Sequence, residues 1–532
     1  MKYPIGIQSF ERMREDGFVY VDKTALVYDL VQNGSIYFLS RPRRFGKSLL
    51  VSVLENYFLG RRELFEGLEM ERLEKEWKCY PVFHVDFNAD RFLTIGTLEQ
   101  TLEGYLSKWE AQYGVTQKAY GFGRRFAAVL EAAHEQTGLR AVVLVDEYDK
   151  PILDVMDSGF SVDFQGQQMS LEEYNRETLR AFYSTFKLAD PHLKFVLLTG
   201  VTKFSQVSVF SGFNQPDDIS MNPKYDALCG ITDEEIDAYF SAAVQEMAQS
   251  YGIGEQQMRQ TLKQRFNGYH FSRSLKGVYN PFSLLSTFKS GVMSDYWFST
   301  GTPSYLIRLL RHFNENMDEL TSRYYEPQEF VDYKADVERP LPMIYQSGYL
   351  TIKDYKMRAN TFRLDYPNDE VKRGFVTLLA NNYLATRESV SSWMNEAVDA
   401  LEEGRLDDFR RQLTSFFASI PYSMRRKENE RERERYFHYT FYLLMRLAST
   451  YVTHTEQQQS QGRADCVIET DRHVYIFEFK LDSSASEGLQ QIEAQGYARP
   501  YASDSRQVHC IGVSFSSETG TVNDWAVSEA AS

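Results

Sequence analysis

The stretch Phe38–Val53, FLSRPRRFGKSLLVSV, predicts an apolar strand, a tight loop and the start of a helix. Gly46, Lys47 and Ser48 occupy the last three positions of the phosphate-loop (P-loop) pattern G-x-x-x-x-G-K-[ST]. In that pattern the glycine lets backbone N–H groups approach phosphate oxygens, the lysine reaches the β and γ phosphates, and the hydroxyl ligates Mg²⁺. Arg41 stands where the pattern has its first glycine, so this loop is stiffer and more basic than usual. Short Gly-Lys-Ser strings also arise by chance, so the context of the loop has to decide.

Two further apolar runs end in polar residues that suit a nucleotide site. Ala141–Asp149, AVVLVDEYD, predicts a buried parallel strand with Asp146 and Glu147 at its carboxyl end. In ATPases that hydrolyse ATP with water, such an aspartate holds Mg²⁺ and such a glutamate orients or deprotonates the water. A buried strand that leaves into an acidic turn is the alternative interpretation. Phe195–Gly200, FVLLTG, ends in Thr199, which could sense the γ-phosphate.

Together these runs predict an α/β fold, in which a P-loop NTPase core forms a doubly wound parallel sheet. The residues expected to contact ATP and Mg²⁺ are Arg44, Phe45, Gly46, Lys47, Ser48, Leu49, Asp146 and Thr199, with Ser48 and Asp146 on the metal and Glu147 in a catalytic role. A helix within Ile7–Asn33, capped by Asp22, precedes the loop and is expected near the adenine. For Lys203, after the third strand, three roles stay open: a contact to the γ-phosphate, a contact to a neighbouring subunit, or a solvated loop position.

The composition is that of a globular intracellular chain. The 532 residues include 43% hydrophobic and 14% aromatic residues, enough for a large core. The net charge of −15 argues against a protein coated in positive charge for nucleic acid, although it permits a local basic groove. The cysteines, Cys79, Cys229, Cys466 and Cys510, have no paired spacing and support neither a disulfide framework nor a zinc site. The start lacks a signal pattern and no apolar run approaches the ~18 residues of a membrane span, so we expect a cytoplasmic protein with no membrane partner.

The middle of the chain predicts helices, an aromatic segment and a hairpin. Cys229–Leu262 has the pattern of a helical lid, and Thr232 and Glu235 have capping-box spacing. The aromatic segment Phe266–Phe282, which DYWFSTGTPSYL follows, is best explained by packing, although stacking of single-stranded bases would use the same residue types. Two strand-like runs within Leu341–Pro367, IYQSGYLTIKDY and TFRLDYP, predict a winged-helix-like hairpin that would contact nucleic acid or a partner.

A charged run, Met424–Arg435, precedes a predicted apolar helix at Phe437–Ala448. Both signs of charge at close spacing favour a solvated helix with i to i+4 pairs, and a phosphate-facing edge is the alternative. Glu434, at the head of the apolar helix, could add a carboxylate to a metal site, but Glu430 and Glu432 compete for that role.

The segment Gly462–Lys480, GRADCVIETDRHVYIFEFK, predicts a β-hairpin with a second set of charged residues. Glu478 and Lys480 are two residues apart on one strand, so their side chains point to the same face, and Asp465 can join them across the hairpin. Two carboxylates and an ammonium would bind one or two Mg²⁺ ions and orient a water for in-line attack on a phosphodiester. Polar residues on a half-exposed strand are the alternative, but the flanking phenylalanines indicate a buried sheet, where unpaired charge is costly.

Motifs across nearly the whole chain resemble those of one family. The strings RPRRFGKSLL, VDEYDKPI, TGVTKFS, NGYHF, VYNPFSLL, QSGYLTI, YPNDEV and GRADCVIET…VYIFEFKLD…QIEAQGYARPY resemble bacterial and archaeal AAA-ATPase-like proteins that carry a C-terminal PD-(D/E)XK nuclease-superfamily domain. The resemblance implies a P-loop ATPase of the additional-strand Asp-Glu type and a restriction-endonuclease-like αβ domain. By this resemblance Lys47 and Ser48 match the ATP site, Asp146 and Glu147 the Mg²⁺ and water-activating pair, and Asp465, Glu478 and Lys480 the nuclease signature. Gln491 and Tyr497, which follow on a predicted helix, are expected to face the nuclease site.

The expected domain order is a P-loop core at 1–225, a helical lid at 226–290, a helical and winged-helix-like region at 291–425 and a nuclease-like domain at 426–532. Three functions are compatible with this order. The first is an ATP-dependent nuclease, with ATP and Mg²⁺ in one site, Mg²⁺ or Mn²⁺ in the other, and DNA rather than RNA as its substrate. The second is a nucleotide-gated switch whose C-terminal fold only holds nucleic acid or a protein partner, as the acidic net charge favours.

The third, a small-molecule kinase, is disfavoured because Glu147 supplies a water-activating group that a kinase does not need. A homo-oligomer is compatible with this class of ATPase. Arg124, Arg125 and Arg180 are then the candidates for an arginine finger.

Overall fold

The computed structural model describes residues 1–116, 121–164, 166–204, 216–300, 305–306, 317–331, 340–384, 390–419 and 465–529. The chain divides into two compact units, Met1–Val371 and Lys372–Ser532.

The first unit is mixed α and β. Its helices are α1 (Phe10–Glu15), α2 (Thr24–Asn33), α3 (Lys47–Phe58), α4 (Glu69–Leu73), α5 (Thr97–Tyr113), α6 (Phe122–Thr137), α7 (Lys150–Leu153), α8 (Leu171–Tyr183), α9 (Thr185–Leu188), α10 (Asp233–Tyr239), α11 (Ser241–Tyr251), α12 (Glu255–Phe266), α13 (Pro281–Ser290), α14 (Tyr296–Ser299), α15 (Met317–Ser322), α16 (Pro327–Val331) and α17 (Leu341–Gln346). Its strands are β1 (Ile36–Ser40), β2 (Val82–Asp86), β3 (Ala141–Asp146), β4 (Ser161–Phe164), β5 (Gln167–Ser170), β6 (Leu193–Gly200), β7 (Asp217–Asp218), β8 (Tyr324–Tyr325), β9 (Thr351–Lys356) and β10 (Thr361–Asp365). Short 3-10 turns occupy Arg62–Phe65, Phe87–Ala89, Asp190–His192 and Pro223–Tyr225. Helix α18 (Asp369–Leu384) begins in this unit and continues into the second.

A five-stranded parallel sheet, in the order β2-β3-β6-β1-β7, forms the centre of the first unit. Every residue of β3 is buried, as expected for a strand covered on both faces. The chain runs from β1 to the far edge at β2 and then returns through β3 and β6. Right-handed crossovers in these two directions put the connecting helices on both faces of the sheet. The predicted doubly wound α/β fold is confirmed, and the inserted strand β6 separates the P-loop strand from the Asp-Glu strand.

The predicted lid is helical. Helices α10, α11, α12 and α13 share a buried apolar cluster that includes Phe240, Leu262 and Phe266. The capping box at the start of α10 is present, since Glu235 N donates to Thr232 Oγ1 at 3.3 Å and Thr232 N donates to Glu235 Oε2 at 2.9 Å. The capping-box prediction is therefore confirmed.

The hairpin predicted within 341–367 is present, but its first strand is shorter than the pattern suggested. β9 and β10 pair antiparallel, and β8 extends them to a three-stranded sheet. The run from Ile344 was expected to be strand-like, yet Leu341–Gln346 is the helix α17. Pro342 in its first turn favours a helix start, and Gly348, with φ of 89°, supplies the left-handed turn before β9.

The second unit contains α19 (Val390–Glu402), α20 (Leu406–Ser419), α21 (Ala485–Gln495) and a 3-10 turn at Arg499–Tyr501. Its mixed sheet has the order β11 (Cys466–Glu469), β12 (His473–Leu481), β13 (Gln507–Phe515) and β14 (Val522–Glu529). β11 and β12 form the predicted antiparallel hairpin, and β12 pairs with β13 in parallel. Ile476, Ile492 and Tyr497 belong to the apolar core between this sheet and α21. The predicted C-terminal αβ fold is confirmed.

In the part of the chain that the structure describes, no helix has the length and apolar character needed to cross a membrane. All four cysteines are free thiols.

Candidate functional site

The phosphate-binding loop lies between β1 and α3. Gly46, with φ of 93°, takes a left-handed conformation directly before the helix, which explains why a glycine occupies this position. Arg44 also has a positive φ, of 68°. Ser48 and Leu49 follow in the first turn of the 12-residue helix α3. The unpaired N–H groups and the dipole at that helix end favour a bound anion.

The ammonium of Lys47 is held inside the loop. Lys47 Nζ donates to Arg41 O at 3.1 Å and to Pro42 O at 3.4 Å, and it lies 3.7 Å from Glu147 Oε1. The residue is only 4% exposed. A buried cation that is paired with two carbonyls and one carboxylate can exchange these partners for phosphate oxygens.

Asp146 and Glu147 lie at the carboxyl end of β3, beside the end of β6. Asp146 is buried, and its Oδ1 accepts hydrogen bonds from Thr199 Oγ1 at 2.6 Å and from Glu147 N at 3.1 Å. Glu147 has φ of 52°, an uncommon backbone state for a residue other than glycine. Its carboxylate remains partly exposed and faces Lys47. The structure thus brings together Lys47, Asp146, Glu147 and Thr199, and it puts the Thr199 hydroxyl on Asp146.

Two neighbours of this pair have a role that the sequence did not reveal. Asp149 Oδ2 accepts hydrogen bonds from Val201 N at 3.0 Å, Thr202 N at 2.6 Å and Thr202 Oγ1 at 2.7 Å. Tyr148 Oη donates to Thr202 O at 2.8 Å. Burial, with a smaller contribution from the charge of Glu147, raises the pKa of Asp149 to about 6. These contacts tie the ends of β3 and β6 together. In the sequence, the only local signal for these contacts is that each strand ends in polar residues.

Arg41 explains why the loop departs from the P-loop pattern. Its guanidinium is buried and donates to Ser40 O at 2.9 Å, Ser220 O at 2.8 Å and Tyr225 O at 3.2 Å. It also lies 4.0 Å from the ring centroid of Phe271. This arginine therefore braces the loop from inside the unit.

A large cleft opens at the loop. Its volume is about 1010 Å³, and its lining includes Arg43, Arg44, Lys47, Ser48, Arg91 and Glu147. The whole lining has two acidic side chains, Glu147 and Asp154, and five cationic ones, so the cleft suits a polyanionic ligand.

A smaller apolar pocket adjoins this cleft, because Gly46, Leu49 and Pro281 line both cavities. It measures about 100 Å³ and is lined by residues from three segments, among them Tyr20, Val27, Phe45, Leu49, Leu228 and Pro281. The segment predicted to lie near the adenine contributes Tyr20 and Val27, and the lid contributes Leu228 and Pro281. Apolar walls next to a phosphate site suit a nucleotide base.

Other predicted cations are paired in the structure. Lys203 Nζ lies 2.8 Å from Asp218 Oδ2. Of the three roles predicted for Lys203, a solvated loop position therefore does not fit the structure. Arg125 is held by Glu103 and Glu110, and Arg180 by Glu177 on the surface of α8. Arg124 is exposed at the start of α6.

In the second unit, Asp465, Glu478 and Lys480 converge on one edge of the β11–β12 hairpin. Phe479 lies between Glu478 and Lys480 in the sequence, and its backbone N donates to Asp465 Oδ2 at 2.8 Å. Lys480 Nζ lies 3.3 Å from Glu478 Oε1. The predicted clustering of two carboxylates and one ammonium is therefore present in the structure.

The carboxylate of Glu478 is buried and incompletely paired. Within the described part of the chain, no hydrogen-bond donor contacts its Oε2. Burial, followed by the repulsion of Asp465, raises the pKa of Glu478 to about 7, although Lys480 opposes the shift. An orphaned buried carboxylate oxygen beside a second carboxylate is a donor set that fits a hard divalent cation.

Helix α21 brings one more polar group to this edge. Lys480 Nζ donates to Gln491 Oε1 at 2.8 Å. The close approach depends on Gly488 and Gly512, because a Cβ at Gly512 would lie 1.9 Å from Ala485 O and one at Gly488 would lie 3.1 Å from Glu478 O. Of the two side chains expected to face the site, Gln491 does so and Tyr497 is packed in the core.

Among the described residues, no group of three or more histidine, cysteine or acidic side chains forms a metal cluster. Glu430, Glu432 and Glu434, with the charged run 424–435 and the helix predicted at 437–448, lie outside the described residues.

Comparisons with known proteins match both the N-terminal and the C-terminal part of the chain. Residues 4–210 match a family model described as a predicted AAA-ATPase. Residues 432–525 match a model of the PD-(D/E)XK nuclease superfamily. The chain is 35% identical over 536 residues to a protein of Azotobacter chroococcum mcd 1 described as "Uncharacterized protein in vnfD 5'region", and the match covers 99% of this chain and 98% of the relative. The chain therefore belongs to the family of AAA-ATPase-like proteins that carry a C-terminal domain of the PD-(D/E)XK nuclease superfamily.

Proposed function

We propose that this protein hydrolyses ATP in its N-terminal unit and uses that cycle to control a Mg²⁺-dependent nuclease in its C-terminal unit, with DNA as the substrate. The observation that carries the proposal is the convergence of Asp465, Glu478 and Lys480 on one sheet edge, in a chain that also has a complete Lys47, Asp146 and Glu147 set. Two separate charged sites of this kind are costly to keep without a ligand for each.

In the ATP site each side chain has a distinct task. Lys47 would leave the carbonyls of its own loop and bind the β and γ phosphates. Glu147 would orient an attacking water and accept its proton, and Thr199 donates a hydrogen bond to the carboxylate of Asp146. Ser48 and Asp146 would hold Mg²⁺, which supplies positive charge against the phosphates when it is bound.

The nucleotide would occupy the two adjoining cavities at the loop. The cationic cleft is suited to the triphosphate, and the apolar pocket beside Phe45 and Leu49 is suited to the adenine. Since the pocket wall includes residues of both α2 and the lid, a bound base would link these two segments.

In the nuclease site, Asp465 and Glu478 would hold Mg²⁺ or Mn²⁺, which lowers the pKa of a bound water when it is present. Lys480 is fixed by Gln491 and can hydrogen-bond the attacking water and stabilise charge on the phosphate. The exposed Asp465 marks the side from which a DNA strand would approach.

A second candidate function, a nucleotide-gated binding switch, is favoured by one observation. The chain has a net charge of −15, which argues against a protein coated in positive charge for nucleic acid. In this case the C-terminal unit would hold nucleic acid or a protein partner and leave the phosphodiester intact. We propose a cytoplasmic location and the four domain ranges of the sequence analysis in either case, and a homo-oligomer is compatible with both.

The coupling can be tested on the full-length protein with labelled single-stranded DNA, duplex DNA and matched RNA. Cleavage would be followed with Mg²⁺ or Mn²⁺ in the presence of ATP, of ADP or of no nucleotide. We expect DNA cleavage that changes with the nucleotide in the wild-type chain and no longer changes in Lys47→Ala. No cleavage of any substrate, together with nucleotide-dependent retention of DNA, would replace the nuclease by the binding switch.

A further inference from the structure

The five loop residues ahead of Gly46 all contact later parts of the first unit. Each of these contacts joins the loop to a motif that the sequence singled out without a role. Arg41 lies against Phe271, Pro42 against Gly348, Arg43 against Tyr305 and Trp297, Arg44 against Phe282, and Phe45 against Tyr269. The contact at Gly348 is tight, since a Cβ there would lie 2.6 Å from Pro42 Cβ.

Among these contacts to later segments, one is a hydrogen bond from a side chain to the backbone of the loop. Trp297 makes it. Its indole Nε1 donates to Arg43 O at 3.0 Å. The ring is 6% exposed and packs at 5.1 Å from the ring of Tyr349. The indole is thus fixed by packing, and its N–H points at a carbonyl of the phosphate-binding loop.

Glu370 fixes the backbone of the same tryptophan. Glu370 is buried, and its Oε1 accepts hydrogen bonds from Trp297 N at 2.8 Å and from Ser283 Oγ at 3.1 Å. Ser283 lies in the first turn of α13, whose residues Pro281 and Leu285 line the nucleotide cleft. The carboxylate therefore joins Trp297 to a helix at the rim of the cleft.

We propose that Trp297 is a positioning residue for nucleotide binding, which holds the phosphate-binding loop through the Arg43 carbonyl, and that Glu370 supports it. This inference rests on the proposed ATP site. The usual first glycine is absent and the loop is braced by contacts to later segments of the first unit, so the direction of the backbone N–H donors of the loop depends on these contacts. The role concerns binding of the phosphates, and Trp297 itself touches no reacting atom.

The test compares Trp297→Phe with Trp109→Phe in the full-length protein. Phenylalanine keeps an aromatic ring and removes the indole N–H. Trp109 is the control because it is also a buried tryptophan of the first unit, and its ring packs with Tyr105 and Phe126. The measurements are the Kd for a fluorescent ATP analogue, KM and kcat for ATP, the thermal midpoint, and the tryptophan emission on addition of Mg-ADP.

We expect Trp297→Phe to raise Kd and KM about two- to tenfold, the effect of one lost hydrogen bond, with kcat nearly unchanged. Trp109→Phe should leave both constants at the wild-type value. The emission change that Mg-ADP causes in the wild type should persist in Trp109→Phe and vanish in Trp297→Phe. A purely structural role would lower the thermal midpoint without moving KM or the emission signal.

Rescue by a conservative variant tests Glu370. Glutamine keeps an acceptor for Trp297 N and alanine does not, so Glu370→Ala should raise KM as Trp297→Phe does and Glu370→Gln should stay near the wild type. Wild-type nucleotide affinity in Trp297→Phe would overturn the inference while the proposed ATPase stands. A wild-type chain that binds no ATP would overturn the proposed function, and this inference with it.

Discussion

Thr199 Oγ1 donates a 2.6 Å hydrogen bond to Asp146 Oδ1 and so joins the ends of two neighbouring strands of the central sheet. Both residues are buried, and the inserted strand β6 places Thr199 between the P-loop strand and the Asp-Glu strand. A hydroxyl that donates to a buried carboxylate satisfies one of its oxygens and fixes the direction of the group. The ATP site is therefore organised by the strand order as well as by the loop motif.

Replacing Thr199 by valine should weaken the ATPase. Valine has nearly the same shape but no hydroxyl, so Asp146 would lose a charge-assisted hydrogen bond. We expect ATP turnover to fall about 10- to 100-fold, as for loss of a hydrogen bond to a charged group. Thr199→Ser, which keeps the hydroxyl, is the matched control, and equal turnover in the valine and serine variants would show that the contact is unimportant.

Variants of Lys47 and Glu147 should separate nucleotide binding from the hydrolysis of ATP. Glu147→Gln should retain nucleotide binding and lose about 10²- to 10⁴-fold in turnover, the usual contribution of a general base. Lys47→Ala should lose binding itself, because the phosphates lose their buried cation. Equilibrium binding of a fluorescent nucleotide and release of phosphate would be measured on both variants. Full turnover by Glu147→Gln would assign the water-activating role to another residue.

Arg41 offers a test in which a substitution that restores the P-loop pattern should destabilise the protein. Arg41→Gly restores the first glycine of the P-loop pattern, yet it removes a buried guanidinium that donates to three carbonyls. We expect a loss of stability of about 2–4 kcal/mol, because buried acceptors are left without donors. Arg44→Gly is the control, since Arg44 already has a positive φ and glycine suits that conformation. Denaturant midpoints of the two variants should differ clearly, and equal midpoints would contradict the bracing role.

The raised pKa of Glu478 predicts a pH dependence of stability with a definite sign. Burial raises that pKa from 4.5 to about 7, so the folded chain binds this proton more tightly than the unfolded chain. The resulting stabilisation is complete below the ordinary pKa and is lost as the pH rises through about 7. The measured quantity is the Tm of Glu478→Gln minus the Tm of the wild type, in EDTA. This difference should therefore be larger at about pH 8 than at about pH 5.

Metal should reverse this effect in chains that keep Glu478. Mg²⁺ binds the ionised carboxylate, so it should raise the wild-type Tm at about pH 8 and have little effect at about pH 5. The exposed Glu493 on α21 provides the control variant, Glu493→Gln, which should behave as the wild type. A Tm difference between Glu478→Gln and the wild type that does not change with pH would contradict a buried, proton-binding Glu478.

The sequence was informative where the signal is local. The β1 to α3 stretch, the apolar strands β3 and β6, and the hairpin of β11 and β12 follow from periodicity and from glycine at one turn. The helix α17 was missed because its apolar residues also fit a strand and its start depends on Pro342. A proline in the first turn of a helix was the signal that could have corrected it.

The remaining features depend on contacts between distant segments. Trp297 and Arg43 are 254 residues apart, and Asp149 and Thr202 are 53 apart. No pattern along the chain encodes which carbonyl an indole N–H meets, or that Arg41 turns into the core. The aromatic segment Phe266–Phe282 illustrates the difference, since its composition predicted packing and only the structure shows that it packs on the P-loop.

The most direct test of the two-site account is DNA cleavage by the full-length protein carrying Lys480→Ala. With Mg²⁺ or Mn²⁺ and ATP, the wild type should cut DNA, while the variant should lose cutting and keep the wild-type rate of ATP hydrolysis, because Lys480 contacts Glu478 and Gln491 of the second site. Undiminished DNA cleavage by Lys480→Ala would contradict the account.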